Sequence, residues 1–225
     1  MNQLLEAIVE DDVSVVKKML HVDPAPAKSV VTQARLYRSG IFHWIYVGDT
    51  ALHLAAAGYR VQIALLLIQA GANVNAASNR RKSSPLHDAA DGFLTGPAWD
   101  ARRQVEMIRC LLDHGAGIQA RDLNGATALH RAVRTRCAEA VKWLLAAGAD
   151  PLARNQSGST PFHLAVQNTG RGGSGEPVAV NAQREIIGAF ISQGVRPDVR
   201  DGSGKTVIER SRSSWILELL HGPGN

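Results

Sequence analysis

Apolar residues recur at helical spacing in four segments of the chain, and each segment is followed closely by a glycine. The segments are residues 63–67, 107–112, 141–145 and 186–191, and the glycines are Gly71, Gly115, Gly148 and Gly194. Glycine adopts the left-handed backbone conformation that commonly ends a helix. The pattern therefore predicts four helices that stop just before these glycines.

A shorter helix is predicted ahead of each of these segments, beginning at a threonine or serine, and a degenerate fifth copy of its starting motif closes the series. The starting motifs are Thr50 to His53, Ser84 to His87, Thr127 to His130, Thr160 to His163 and Thr206 to Glu209. A hydroxyl side chain at such a position accepts a backbone hydrogen bond and caps the helix. Successive motifs are separated by 34, 43, 33 and 46 residues, which indicates a repeat with two insertions.

The repeated unit resembles the ankyrin repeat, whose period is about 33 residues. Residues 122–150 carry the resemblance most fully, and residues 48–76 carry it almost as well. Both combine a Thr-Ala-Leu-His start, paired leucines and a Gly-Ala-Asp or Gly-Ala-Asn turn. The resemblance implies an all-α solenoid of stacked helix-turn-helix units with extended finger loops. It also implies that the motif histidine hydrogen-bonds locally and joins adjacent repeats.

The whole chain is expected to form a single ankyrin-repeat domain of about six repeats, including caps. Residues 2–20 are predicted to be an N-terminal capping repeat, and residues 21–47 an extended first finger. Four full repeats follow over residues 48–199, with insertions near 93–102 and 169–182. Residues 200–222 are predicted to be a C-terminal capping repeat.

Composition and chain ends favour a cytoplasmic protein that does not enter membranes. The N-terminus lacks the basic start, apolar run and cleavage site of a secretory signal, and no apolar run approaches the roughly 18 residues of a membrane span. The two cysteines lie in helix-like segments, so no disulfide framework is predicted. A monomer is expected, because capped solenoids commonly are monomeric.

The recurring histidines raise the alternative of a metal site or acid–base chemistry. They occur once per repeat, however, so stacking would hold them too far apart to share one ion, and no HExxH or CxxC pattern is present. The structural histidines and their capping residues are therefore predicted to be Thr50, His53, His87, Thr127, His130, Thr160 and His163. No catalytic residue, cofactor or metal is predicted, and the chain is expected not to be an enzyme.

The two cysteines are predicted to differ in exposure. Cys110 belongs to the leucine row of a second helix and is expected to be buried, whereas Cys137 occupies a turn and is expected to be partly exposed. Neither is accompanied by a recognisable catalytic histidine and acid.

Aromatic residues are concentrated in the first finger, where they are candidates for partner binding. They are Tyr37, Phe42, Trp44 and Tyr46. The alternation over residues 41–46 predicts a strand. Aromatic residues on a projecting loop are typical binding anchors, but they could equally fold back and cover the first repeat.

The two insertions are a second candidate for a binding edge, since register places both between the helices of their repeats. Phe93, Leu94 and Trp99 make the first insertion apolar, whereas the second is rich in glycine. Insertions of this kind are also tolerated without any function.

Basic residues cluster at the finger tips, which in this family contribute with the first helices to a concave binding face. The candidate partner-binding cations are Arg80, Arg81, Lys82, Arg121, Arg131, Arg134, Arg154 and Arg200, and Lys205 extends the stripe. Asp122 and Asp201 are expected to interrupt it. The sequence therefore predicts a non-catalytic module that presents a rigid basic surface to an acidic protein partner. Nucleic-acid binding through the same face is one alternative, and a merely solvated surface is the other.

Overall fold

The computed structural model describes residues 2–37, 41, 43–92, 99–167 and 176–221. Within them the chain forms six consecutive helix pairs. The first helices are α1 (Asn2–Val9), α4 (Ala51–Ala57), α6 (Pro85–Ala90), α8 (Ala128–Arg134), α10 (Pro161–Ala165) and α12 (Val207–Arg210). The second helices are α2 (Val13–Val22), α5 (Val61–Gln69), α7 (Ala101–Asp113), α9 (Ala138–Ala146), α11 (Pro177–Ser192) and α13 (Ser214–His221).

The pairs stack in chain order, which confirms the predicted solenoid. Each first helix contacts the first helix of the next pair from α1 through α12, and the second helices do the same from α2 through α13. The core is a continuous apolar cluster between these two rows. It holds few aromatic rings, although Phe162 and Phe190 stack with their centroids 4.9 Å apart.

The predicted helix ends are confirmed. Gly71 follows α5 with φ of 90°, and Gly148 follows α9 with the same value. This is the left-handed conformation that glycine adopts without a steric cost. It turns the chain out of each second helix and into a finger.

The residues expected to form an extended first finger contain regular structure. Helix α3 (Ala25–Lys28) comes first, and strands β1 (Arg35–Tyr37) and β2 (His43–Ile45) then pair as an antiparallel hairpin in which Leu36 opposes Trp44. The backbone N–H of Val31 donates to the carbonyl of Asp49 at 2.7 Å, which fastens this segment to the first full repeat.

Part of each predicted insertion lengthens a second helix. Helices α7 and α11 have 13 and 16 residues, whereas α5 and α9 have 9 each. Residues 177–182, expected to be part of an insertion loop, are helical in α11. Residues 93–98 and 168–175, which include Phe93 and Leu94, lie outside the described residues.

Candidate functional site

Each motif histidine joins its own helix to the next finger. The Nδ1 atom of His53 accepts from the backbone N–H of Thr50 at 3.0 Å, so the proton of the neutral ring lies on Nε2. Nε2 then donates to the carbonyl of Ser83, 30 residues away, at 3.0 Å. His87, His130 and His163 repeat this arrangement with the carbonyls of Ala126, Ser159 and Lys205.

Burial disfavours the charged form of three of these imidazoles. It lowers the pKa of His87 and His163, and it lowers the pKa of His130 to about 4. In the closing repeat Glu209 takes the histidine's place, and its carboxylate accepts from the backbone N–H of Thr206 at 2.6 Å. These motif residues therefore cap helices and connect repeats.

Asp49, His53 and Asp88 form a buried group whose potential ligand atoms lie within 4.8 Å of one another. Sequence reasoning missed this group because 39 positions separate the two aspartates. Asp49 accepts from the side-chain amide of Asn79 and the backbone N–H of Tyr46, each at 2.6 Å, and Asp88 accepts from Arg81 at 3.0 Å. Burial raises the pKa of Asp49. The group is thus bonded into the protein at the base of the first two fingers.

Arg131 does not belong to an exposed basic stripe, contrary to the sequence prediction. Its side chain is only 7% exposed and donates to Asp91 at 2.6 Å and to Asp122 at 2.5 Å. Burial alone would raise the pKa of Asp122, but the bonds from Arg131 and from two backbone N–H groups outweigh it and lower that pKa. Arg131 is therefore an internal ion-pair partner.

The aspartates expected to interrupt the stripe also face inward. Asp122 and Asp201 are both buried. One carboxylate oxygen of each accepts hydrogen bonds from backbone N–H groups of its own finger. The other oxygen accepts from an arginine side chain, which is Arg131 for Asp122 and Arg210 for Asp201. The expected interruption of the stripe was therefore wrong.

Most of the other predicted cations lie on the exposed side of the fingers, which we call the finger surface. Its described cationic side chains are Arg80, Lys82, Arg121, Arg154, Arg200 and Lys205. Arg134 is also exposed, but it lies at the end of α8 and pairs with Asp91 at 3.0 Å. Arg81 is half-buried between Asp88 and the Tyr46 ring, whose centroid lies 4.2 Å from the guanidinium carbon.

The hairpin separates its aliphatic residues from its tryptophan. Ile41 and Ile45 are buried in the core, whereas Trp44 is 49% exposed on the opposite face of β2. The isoleucines thus cover the first full repeat and leave Trp44 outward. Phe42 and the side chain of Tyr37, both predicted to bind a partner, lie outside the described residues.

Comparison with known proteins identifies the repeats. Residues 47–79 match the family described as ankyrin repeat, and residues 111–165 match the one described as ankyrin repeats in many copies. Across the fold, an ankyrin repeat domain from Acinetobacter baumannii AYE is similar with a TM-score of 0.66 and 24% identity, over 97% of this chain and 94% of that one. This chain contains ankyrin repeats. The resemblance predicted from the sequence is confirmed.

A curated relative is similar over a shorter stretch. The B-cell lymphoma 3 protein homolog of Mus musculus is 33% identical over 87 residues, which is 39% of this chain. The match spans only 17% of that protein's length. The similarity therefore concerns the ankyrin repeats.

Both cysteines and the tryptophan of the first insertion are packed inward. Cys137, expected to be partly exposed, is fully buried, and burial raises the pKa of its thiol. Trp99 packs against the core and donates from Nε1 to Gln104 at 3.2 Å. Cys110 is buried, and burial likewise raises its thiol pKa.

None of the described helices is long and apolar enough to cross a bilayer. On the finger surface, exposed arginines occupy corresponding positions of three fingers, at Arg121, Arg154 and Arg200.

Proposed function

We propose that the chain is a non-catalytic protein-binding module whose finger surface binds an acidic segment of a partner protein. Ankyrin repeats are generally protein–protein interaction modules, and the fold supplies no further detail about the partner. The proposal therefore depends on the charges that these particular fingers carry.

The separation of charge across the fingers is the observation that supports the proposal most directly. Asp49, Asp122 and Asp201 are buried at the finger bases and bonded to protein groups. The cations of the finger surface, in contrast, are directed outward. Asp150 and Asp198 are also exposed on these fingers, but the six cations outnumber them. A surface with an excess of one sign of charge accelerates encounter with a partner of the opposite sign and orients it.

Bonds between neighbouring fingers hold the surface in place before a partner arrives. The backbone N–H of Leu123 donates to the carbonyl of Arg81 at 2.6 Å, and that of Gln156 donates to Asn124 at 2.9 Å. The Gln156 side chain also donates to the carbonyl of Leu123 at 2.6 Å. A preformed surface loses little conformational entropy on association.

Affinity capture from a nuclease-treated lysate tests this function with a charge-matched control. The test variant replaces Arg121, Arg154 and Arg200 by glutamine, and the control replaces Arg102, Arg103 and Arg109 by glutamine. The control residues are exposed on α7, away from the fingers. Circular dichroism first establishes that both variants fold.

The expected result is a protein that the wild type and the control retain and the finger variant loses. Its contact with the wild type should be made through a segment rich in Asp and Glu. A protein retained equally by both variants would contradict the proposal. Binding that disappears on nuclease treatment would instead establish nucleic-acid binding by this surface.

A further inference from the structure

One position recurs on all five described fingers, six residues before each helix-capping serine or threonine. It is occupied by Trp44, Ser78, Arg121, Arg154 and Arg200, which we call the finger row. All five residues are exposed. Because the fingers are stacked, these side chains follow one another along the solenoid.

The three arginines of the finger row are held by the same contact. Nη1 of Arg121 donates to the carbonyl of Gly125 at 3.1 Å, and Arg154 and Arg200 donate in the same way to Gly158 at 2.8 Å and Gly204 at 2.6 Å. Arg121 also donates to the backbone carbonyl of Arg154 in the next finger. A guanidinium has five N–H donors, so each arginine retains several for a ligand.

Existing ion pairs leave this row cationic. Arg200 has Glu209 at 3.8 Å, and both side chains are more than half exposed, so solvent screens their attraction. Carboxylates from a partner would meet guanidinium groups that are already oriented, and such pairs favour two parallel hydrogen bonds.

The other end of the finger row is apolar. Trp44 is 49% exposed, and Val47 in the following turn is 47% exposed. The neighbouring Tyr46 ring is covered by Arg81, which leaves Trp44 as the aromatic face of the row. A large, half-exposed indole beside a charged row is the kind of residue that anchors an apolar side chain of a partner.

The spacing of the row selects the conformation of its ligand. Packed helices lie about 8–10 Å apart, and an extended chain advances about 3.3 Å per residue. Adjacent fingers therefore correspond to about three residues of an extended partner, and the two steps from Trp44 to Arg121 correspond to about six.

We infer that the finger row binds an extended acidic peptide segment with an acidic residue at about every third position and an apolar residue about six positions beyond the acidic end. This inference rests on the proposed function and adds its ligand pattern. Single-stranded nucleic acid is the less suitable ligand, since it is bound by several aromatic side chains that stack on successive bases. The finger row has only Trp44.

Synthetic peptides of equal length test the pattern. The spaced peptide carries one apolar residue and, about six positions further along, the first of three acidic residues placed at every third position. It is made in both chain directions. The clustered peptide places the same acidic residues side by side, and a third peptide replaces the apolar residue with serine. Fluorescence anisotropy at physiological salt measures each affinity.

The spaced peptide in one direction should bind about tenfold more tightly than the clustered peptide. Arg154→Gln should weaken its binding about tenfold, whereas Arg109→Gln on α7 should leave it unchanged. Trp44→Ala should make the apolar and serine peptides bind equally, because the advantage of the apolar residue requires the indole.

Equal affinity for spaced and clustered peptides would overturn the ligand pattern and leave the proposed function standing. So would tighter binding of a helical peptide with acidic residues seven positions apart. No binding to any acidic peptide, or tighter binding to a single-stranded oligonucleotide, would overturn both the pattern and an acidic partner.

Discussion

His130 illustrates how a single residue serves two repeats. It is 1% exposed, accepts from the backbone N–H of Thr127 at 3.2 Å and bonds the carbonyl of Ser159 at 3.2 Å. Removing the ring leaves two buried backbone groups without their partner. Each such group costs about 1–3 kcal/mol.

The His130→Ala variant is therefore expected to lose at least about 2 kcal/mol of unfolding free energy at pH 7. Urea denaturation followed by circular dichroism measures the loss. His21→Ala, at the exposed end of α2, is the control and should change stability by less than about 0.5 kcal/mol. A loss of unfolding free energy in His130→Ala as small as that in His21→Ala would contradict the role of His130 in joining repeats.

Protonation of the same residue gives a pH dependence of defined sign. The His130 pKa is about 4 in the folded chain, against about 6.5 in an unfolded one. As the pH falls below 6.5 the unfolded state takes up the proton first, so stability is full above pH 7 and falls between about 6.5 and 4. His130→Ala should have a shallower decline over that window, and a slope identical to the wild type would contradict the account.

Lys82 occupies a backbone conformation that glycine adopts on other fingers. Its φ is 50°, while Gly48, Gly125, Gly158 and Gly204 at the corresponding position have φ between 71° and 88°. A left-handed conformation costs a residue with a side chain about 1–2 kcal/mol. Lys82→Gly is expected to raise the unfolding free energy by about 1 kcal/mol, whereas Lys82→Gln, which removes only the charge, should not. Equal stability of the two variants would show that this conformation is not strained.

The hairpin is the element that distinguishes this chain's first finger. Ile45 is fully buried on one face and Trp44 is exposed on the other. Ile45→Ala should therefore cost about 3 kcal/mol, and Trp44→Ala about 0.5 kcal/mol or less. Both are measured by urea denaturation. Comparable losses in the two variants would mean that Trp44 covers the first repeat as well.

Elements held by local bonds could be predicted from the sequence, and contacts between distant segments could not. A capping residue and its histidine are three positions apart, so the helix starts were visible in the sequence. Alternation over residues 41–46 predicted the strand, but both of its faces carry large apolar residues, so the sequence could not show which face is buried. Arg131 was misassigned because one of its acidic partners, Asp91, lies 40 residues away.

A buried ion-pair network connects two neighbouring repeats in the middle of the molecule. Arg131 on α8 holds Asp91 at the end of α6 and Asp122 in the finger between them. Arg131→Leu leaves the buried carboxylate of Asp122 without its cation and leaves Asp91 with Arg134 alone, so it should cost about 3–5 kcal/mol. Arg134→Leu, whose side chain is 57% exposed, is the control and should cost less than 1 kcal/mol. Similar losses for both arginines, measured in urea, would contradict the internal role of Arg131.

Partner binding by the finger surface is tested most directly by covalent mapping. A photo-activatable amino acid is placed at Ser78, the exposed member of the finger row between Trp44 and Arg121, and separately at Gln69, exposed on α5 of the same repeat. Illumination in a nuclease-treated lysate, followed by mass spectrometry of the adduct, identifies the attached segment. The Ser78 position is expected to capture an acidic protein segment, and the Gln69 position is not. Capture of the same protein from Gln69 alone would contradict it.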